Sequence, residues 1–278
     1  MAGQMYFGNQ TRMTWVKCPD TGMGMSRTRW AAEGTYLNGG GFVRESTAGH
    51  LIHEMAWNFL TRDQARAITD YRDGIYGGGP LYFLDPFQMD RNVLPQHWAF
   101  PALADDDGLS LLENARPIVS DAPTNTLNAP SKTAVYLLDE DSITRTLWIP
   151  VPDGYSLHVG GLLGGAGTAA VTATPDSGSP VNLQTDLTTT PHNYHHRVLS
   201  SVGGGVTLSL TGEGGLNLWC LGAQVLPAGR TPVTTTFQSG QGTSGSRFSG
   251  DPVLTGYSAV RDHVALSVRL KETGAWDE

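Results

Sequence analysis

Val264-Ala265-Leu266-Ser267-Val268-Arg269-Leu270-Lys271 alternates apolar with small or charged side chains without a break. Period-two patterning places Val264, Leu266, Val268 and Leu270 on one face of a β-strand and the four residues between and after them on the other. One strand cannot form a domain alone, so this one must join a sheet made elsewhere. A Gly/Ser/Thr-rich stretch, Thr234 to Gly250, lies before it, behind a boundary at Pro227-Ala228-Gly229. The natural host for the last strand is therefore the N-terminal part of the chain, and what lies between reads as an insertion.

The N-terminal part supports that role. Met13 to Val16 and Thr35 to Val43 are short strand candidates among glycines. Leu51 to Leu60 is a stronger one: Leu51, Met55, Trp57 and Phe59 share a face with His53, and Ile52, Glu54, Ala56, Asn58 and Leu60 share the other. A helix follows. Thr61 is a good N-cap and Gln64 completes a capping box. Asp63 suits the positive end of the helix dipole. Ala65, Ile68, Tyr71 and Arg72 recur at helical spacing, and Gly74 ends the run. A helix this short must be held by packing one face on a sheet. Leu81-Tyr82-Phe83-Leu84 is a further strand, stopped by Asp85-Pro86. Phe87 to Pro101, with Asn92, Pro95, His97 and Trp98, is aromatic but aperiodic and reads as a long ordered loop, the kind of segment that often carries function.

Composition shifts near Pro101. The run Asp105-Asp106-Asp107-Gly108 and the segment Pro117 to Pro130 read as linker and loop. Beyond Lys132 the pattern is all β: Thr133–Leu138, Arg145–Ile149, Tyr155–Val159, Thr168–Thr174, Tyr194–Ser200, Val206–Leu210 and Leu216–Leu226 are strand candidates separated by turn signals. Strands at this spacing make a sandwich or jelly roll. The expected fold is mainly β: an N-terminal β-sandwich with one short helix (residues 1–101 and 229–278), completed by the C-terminal strand, and an inserted second β-sandwich (residues 102–228).

Composition narrows the function. Only 16% of residues are charged, and there are 35 glycines, so short strands and tight turns are favoured over helices. The net charge of −8 has no basic cluster to set against phosphates, which argues against nucleic acid. No apolar run approaches the ~20 residues that span a bilayer, and Met1 to Gln10 lacks the features of a signal peptide. Two cysteines, Cys18 and Cys220, are too few for a disulfide scaffold and read as reduced thiols.

No residue set carries a catalytic signature. In His50-Leu51-Ile52-His53-Glu54 the histidines are three apart, so on a strand they face opposite ways and cannot readily share a metal. His192, His195 and His196 surround Asn193 and Tyr194, a set that suits a polar loop, a ligand contact or, less well, a metal. The triple Asp lacks the alternating ligands and distant Glu of a calcium loop. No nucleophile elbow, phosphate-binding loop or dinucleotide fingerprint is present. No cofactor, catalytic group or metal centre is expected. Trp57, Trp148 and Trp219 lie in apolar strand patterns, whereas Trp15, Trp30, Trp98 and Trp276 lie nearer loops or ends.

Two stretches carry a resemblance. Trp57-Asn58-Phe59-Leu60, the Thr-capped helix, Gly78-Gly79-Pro80-Leu81-Tyr82-Phe83-Leu84-Asp85-Pro86 and Asn92-Val93-Leu94-Pro95 resemble the minor tail proteins, or distal tail proteins, of long-tailed bacteriophages infecting actinobacteria. Phe248-Ser249-Gly250-Asp251-Pro252 through Glu272-Thr273-Gly274-Ala275-Trp276 looks like the closing segment of the same proteins. The resemblance implies a virion structural protein of the tail tip, assembled in the bacterial cytoplasm as a hexameric ring. Its implied partners are the tail-tube protein, the baseplate hub or tail-associated protein, and other minor tail proteins. A second sandwich of galectin-like or carbohydrate-binding type is implied on the outside. Here that sandwich lacks the His/Asn/Arg and Trp spacing of true galectin sites, which puts its sugar binding in question. The alternatives are a carbohydrate-binding host-adsorption protein contacting cell-wall glycans through Trp148, Asn193, Tyr194 and His195, and a cell-wall hydrolase. Asn92, Pro95, His97 and Trp98 are the candidate interface loop.

Overall fold

The computed structural model describes residues 3–20, 23–28, 31–35, 41–45, 50–99, 116–119, 133–136, 142–165, 170–182, 193–200, 204–213, 216–231, 240, 242, 245–258 and 262–272. The chain opens with β1 (Gln4–Asn9), β2 (Arg12–Lys17), β3 (Met23–Thr28), β4 (Ala31–Thr35), β5 (Gly41–Glu45) and β6 (His50–Thr61). Next come α1 (Arg62–Arg72), β7 (Tyr82–Leu84), α2 (Pro86–Asp90) and α3 (Gln96–Ala99). The inserted part holds β8 (Arg116–Val119), β9 (Thr133–Tyr136), β10 (Ser142–Val151), β11 (Tyr155–Gly165), β12 (Ala170–Pro175), β13 (Val181–Asn182), β14 (Asn193–Ser200), β15 (Gly204–Glu213) and β16 (Leu216–Pro227). The chain returns through β17 (Ser246–Phe248), β18 (Val253–Ser258) and β19 (His263–Glu272).

The protein is mainly β, and its last strand belongs to the sheet begun before residue 100. β19 runs antiparallel to β6 from His263 opposite Thr61 to Lys271 opposite Ile52. The sheet order is β17-β19-β6-β3, with β18 also on β19, and it faces a second sheet of order β2-β1-β7. Between them lie Met5, Phe7, Val16, Met55, Trp57, Leu60, Phe83, Leu266, Val268 and Leu270, with Ala65, Ile68 and Tyr71 of α1 closing the core. The α1 cap is as expected: the Thr61 hydroxyl accepts from the Gln64 N–H, and the Gln64 side chain accepts from the Thr61 N–H.

Alternation along β6 departs from the sequence reading at one point. Leu60 faces Val264 and Trp57 faces Leu266, so Asn58 and Phe59 together oppose Ala265. This two-against-one bulge reverses the alternation beyond it. Phe59, expected in the core with Trp57, is 57% exposed, and Leu60 is fully buried in its place. The stretch Thr35 to Val43 is likewise not one strand. It spans the hairpin of β4 and β5, which pair Ala31 with Glu45 through Thr35 with Gly41.

The inserted sandwich has a four-stranded sheet, β10-β15-β12-β13, and a five-stranded sheet, β14-β11-β16-β9-β8. Leu147, Ile149, Ala173, Val206 and Leu208 of the first and Leu157, Val159, Leu199, Leu221, Ala223 and Val225 of the second are buried. β8 occupies part of the stretch read as a Pro-rich linker, pairing Arg116–Val119 with β9. Cys18 and Cys220 are both free thiols.

Candidate functional site

The stretch from Asp85 to Ala99 joins the two units. The sequence reads Asp85-Pro86 as the stop of the preceding strand and Phe87 to Pro101 as a long ordered loop, but Asp85 caps α2 with a full capping box to Gln88 and Pro86 at the first helical turn, and α3 follows at Gln96–Ala99. That signal, Asp-Pro-Phe-Gln, was present in the sequence and is the same device as Thr61-x-x-Gln64.

Beyond α2, Asn92 is the central joint residue. The described pairing of β16 with β9 covers only Asn217 and Leu218. Further along β16, Asn92 and Val93 take over the ladder. The Asn92 amide donates to the Leu221 carbonyl at 3.3 Å and accepts from the Ala223 N–H at 3.0 Å. The Val93 N–H then donates to the Ala223 carbonyl at 2.9 Å. The side-chain amide thus imitates a strand residue, carrying one donor and one acceptor to buried backbone. Gln224 adds a bond to the Asp90 carbonyl at 2.9 Å, and Arg230 an exposed ion pair to Asp90. Gly240 and Gly242 lie tight against this segment: a Cβ at Gly242 would sit 1.6 Å from the Val93 carbonyl oxygen.

Of the candidate interface residues, Asn92, Pro95 and Trp98 are buried within the chain, Trp98 to 3% exposure. His97 lies on α3, and its side chain is outside the described residues.

Trp148 also belongs to the joint. It is 7% exposed, and its ring lies over Gly205, where a Cβ would approach it to 2.3 Å. Its indole N–H donates to the Asp176 carboxylate at 3.2 Å, and Tyr82 of β7 meets its ring edge-on at 4.7 Å. This leaves little ring face for a sugar. Asn193, Tyr194 and His195 lie on the edge strand β14, opposite Leu163, Leu162 and Gly161 of β11. The structure puts them in a different sheet from Trp148. Their side chains, and that of His196, are outside the described residues, as is all of His192.

His50 sits at the start of β6 opposite Thr28, with its side chain outside the described residues. His53 is 2% exposed and packs edge-on to Phe83 at 4.9 Å. Neither of its ring nitrogens has a hydrogen-bond partner among the described residues. Among the described residues, no three His, Cys, Asp or Glu side chains are grouped to hold a metal.

Burial lowers the His53 pKa from 6.5 to about 4. The folded state therefore favours the neutral ring. Its contribution is intact above pH 6.5, declines as pH falls, and is gone below the folded value of about 4. The expected loss between neutral pH and pH 4 is roughly 3 kcal/mol. Urea midpoints measured across that range should fall steeply in the wild type and much less in His53→Leu. Equal slopes would show that His53 is not the group being titrated.

The rim of the joint holds residues that the sequence reading did not single out. Tyr6 and Trp15 are cross-strand partners, and Trp15 lies 5.9 Å from Tyr155 of the inserted sandwich. Trp15 falls within the Met13–Val16 strand candidate but reads as nearer a loop than a core, and Tyr6 lies in β1, a strand absent from the sequence reading, whose next-to-last residue is Gly8.

No protein-family model matches the chain, and no curated protein matches it. Two solved structures are similar over part of it. One is the enzymatically active domain of tailspike protein 4 of bacteriophage CBA120, at 12% identity and a TM-score of 0.30, covering 40% of this chain and 18% of that one. The other is TmCBM61 in complex with β-1,4-galactotriose, at 13% identity and a TM-score of 0.30, covering 40% of this chain and 81% of that one. Similarity this shallow carries no functional argument.

Proposed function

We propose that this chain is a structural protein of the tail tip of a long-tailed bacteriophage, a ring-forming adaptor between the tail tube and the baseplate hub with its host-recognition proteins. The observation that carries the reading is the return of β19 to β6, which makes one closed core from the two chain ends that resemble distal tail proteins. The inserted sandwich is then an attachment on a completed ring unit.

The edges of that unit support the reading. β3 pairs with β6 on one side and with no other described strand, and β4 and β5 pair only with each other among the described residues. Open strand edges invite pairing with another chain, and a closed ring satisfies them without uncontrolled growth. The mechanism is packing and shape, with no bond chemistry.

The test is sedimentation and negative-stain microscopy of the purified protein, alone and co-expressed with a tail hub protein. Six-membered rings are expected. A chain that stays monomeric over a wide concentration range in both settings would remove the reading. No helix among the described residues is long and apolar enough to cross a membrane.

A further inference from the structure

The joint between the two units has a buried centre and a half-open rim, and the two differ in chemistry. At the centre, Tyr82 and Trp148 are buried and the Trp148 N–H is engaged by Asp176. At the rim, Tyr6 and Trp15 sit 5.0 Å apart at 45°, and Trp15 and Tyr155 sit 5.9 Å apart at 42°. All three rings are half-buried. Neither the Tyr6 and Tyr155 hydroxyls nor the Trp15 indole N–H has a hydrogen-bond partner among the described residues. Asp153, exposed in the turn before β11, is close enough that its charge, after burial, helps push the Tyr6 phenol pKa upward.

Stepped aromatic rings, each with a polar handle that no described residue engages, and one carboxylate at their edge are the recognition chemistry of a sugar. Ring faces and edges cover the C–H surface of a pyranose, while N–H, O–H and carboxylate groups at the periphery take its hydroxyls. Asp153 and the net charge of −8 disfavour an anionic polymer. We propose that Tyr6, Trp15, Tyr155 and Asp153 form a binding site for a neutral saccharide, built across the joint and present only when the two units are docked. The site is separate from the Trp148, Asn193, Tyr194 and His195 set suggested by the sequence. It does not depend on ring formation.

The experiment is a glycan array of neutral hexose and pentose oligosaccharides probed with the full-length protein, followed by titration of the best binder with tryptophan fluorescence as readout. Saturable binding is expected. Trp15→Ala should weaken it by about tenfold or more, and Trp15→Phe, which keeps a ring, by only about threefold. Because Trp15→Ala also trims the joint, Tyr155→Phe and Asp153→Asn provide variants that remove only a hydroxyl or a charge, and each should weaken binding by about threefold to tenfold. Sedimentation of the same variants reads ring formation separately and should be unchanged. The proposal is overturned if no neutral glycan on the array binds, or if binding is found and all four variants retain it in full.

Discussion

Trp57→Ala is expected to destabilise the protein by about 4–6 kcal/mol, enough to leave the first unit largely unfolded at physiological temperature. Trp57 is 1% exposed and among the largest fully buried side chains described. It lies opposite Leu266, where the first and last parts of the chain meet. Removing the indole opens a cavity that neighbours on two sheets cannot close together, which alone costs about 3–5 kcal/mol. The Trp57 N–H also donates to the Lys17 carbonyl at 2.6 Å, tying β6 to the end of β2. Leaving that carbonyl without its partner adds about 1 kcal/mol. Equilibrium urea unfolding gives the number directly, and a loss below about 1.5 kcal/mol would mean that the core is not centred where the strand pairing puts it.

The second large effect concerns the joint. Asn92→Ala should cost about 2–3 kcal/mol, because it strands the Ala223 N–H and the Leu221 carbonyl in a site where Asn92 itself is 1% exposed. Asn92→Asp is the sharper variant. It keeps an acceptor for Ala223 but presents an oxygen, rather than N–H, to the Leu221 carbonyl, and it buries a charge as well. Hydrogen exchange should locate the damage. Amides of residues 221–225 and of β7 should exchange faster in both variants, while those of β19 stay protected. Uniform acceleration across β6 and β19 would instead show that the two units unfold as one, and the joint would not be a separable contact.

Much of this fold was legible in the sequence, for identifiable reasons. The strict alternation of Val264 to Lys271 could mean only a strand, and a lone strand needs a host. The Thr61 cap and the helical spacing of Ala65, Ile68 and Tyr71 were local signals, and local signals survive the absence of a structure. What escaped notice depended on partners distant in sequence. Nothing in Asn58-Phe59-Leu60 marks the bulge, which exists because Ala265 on another strand is one residue short. Asn92 looks like any loop asparagine until β16, some 130 residues later, supplies the backbone groups that it satisfies. The candidate ligand residues shared that difficulty. Trp148 is an aromatic in a strand whether it faces solvent or Gly205, and only the glycine's position across the sheet decides. The cap at Asp85 is the exception, since its spacing matched that of Thr61.

The pairing of β6 with β19 also sets an order of events during synthesis. The ribosome makes the first half of that sheet some 200 residues before the second. β6 must wait, with one ladder edge bare, while the inserted sandwich emerges with all of its own strands and becomes free to fold. The unit translated first is therefore finished only after the inserted one, and a nascent chain cannot present that unit's completed outer surface to neighbours until β19 has been made.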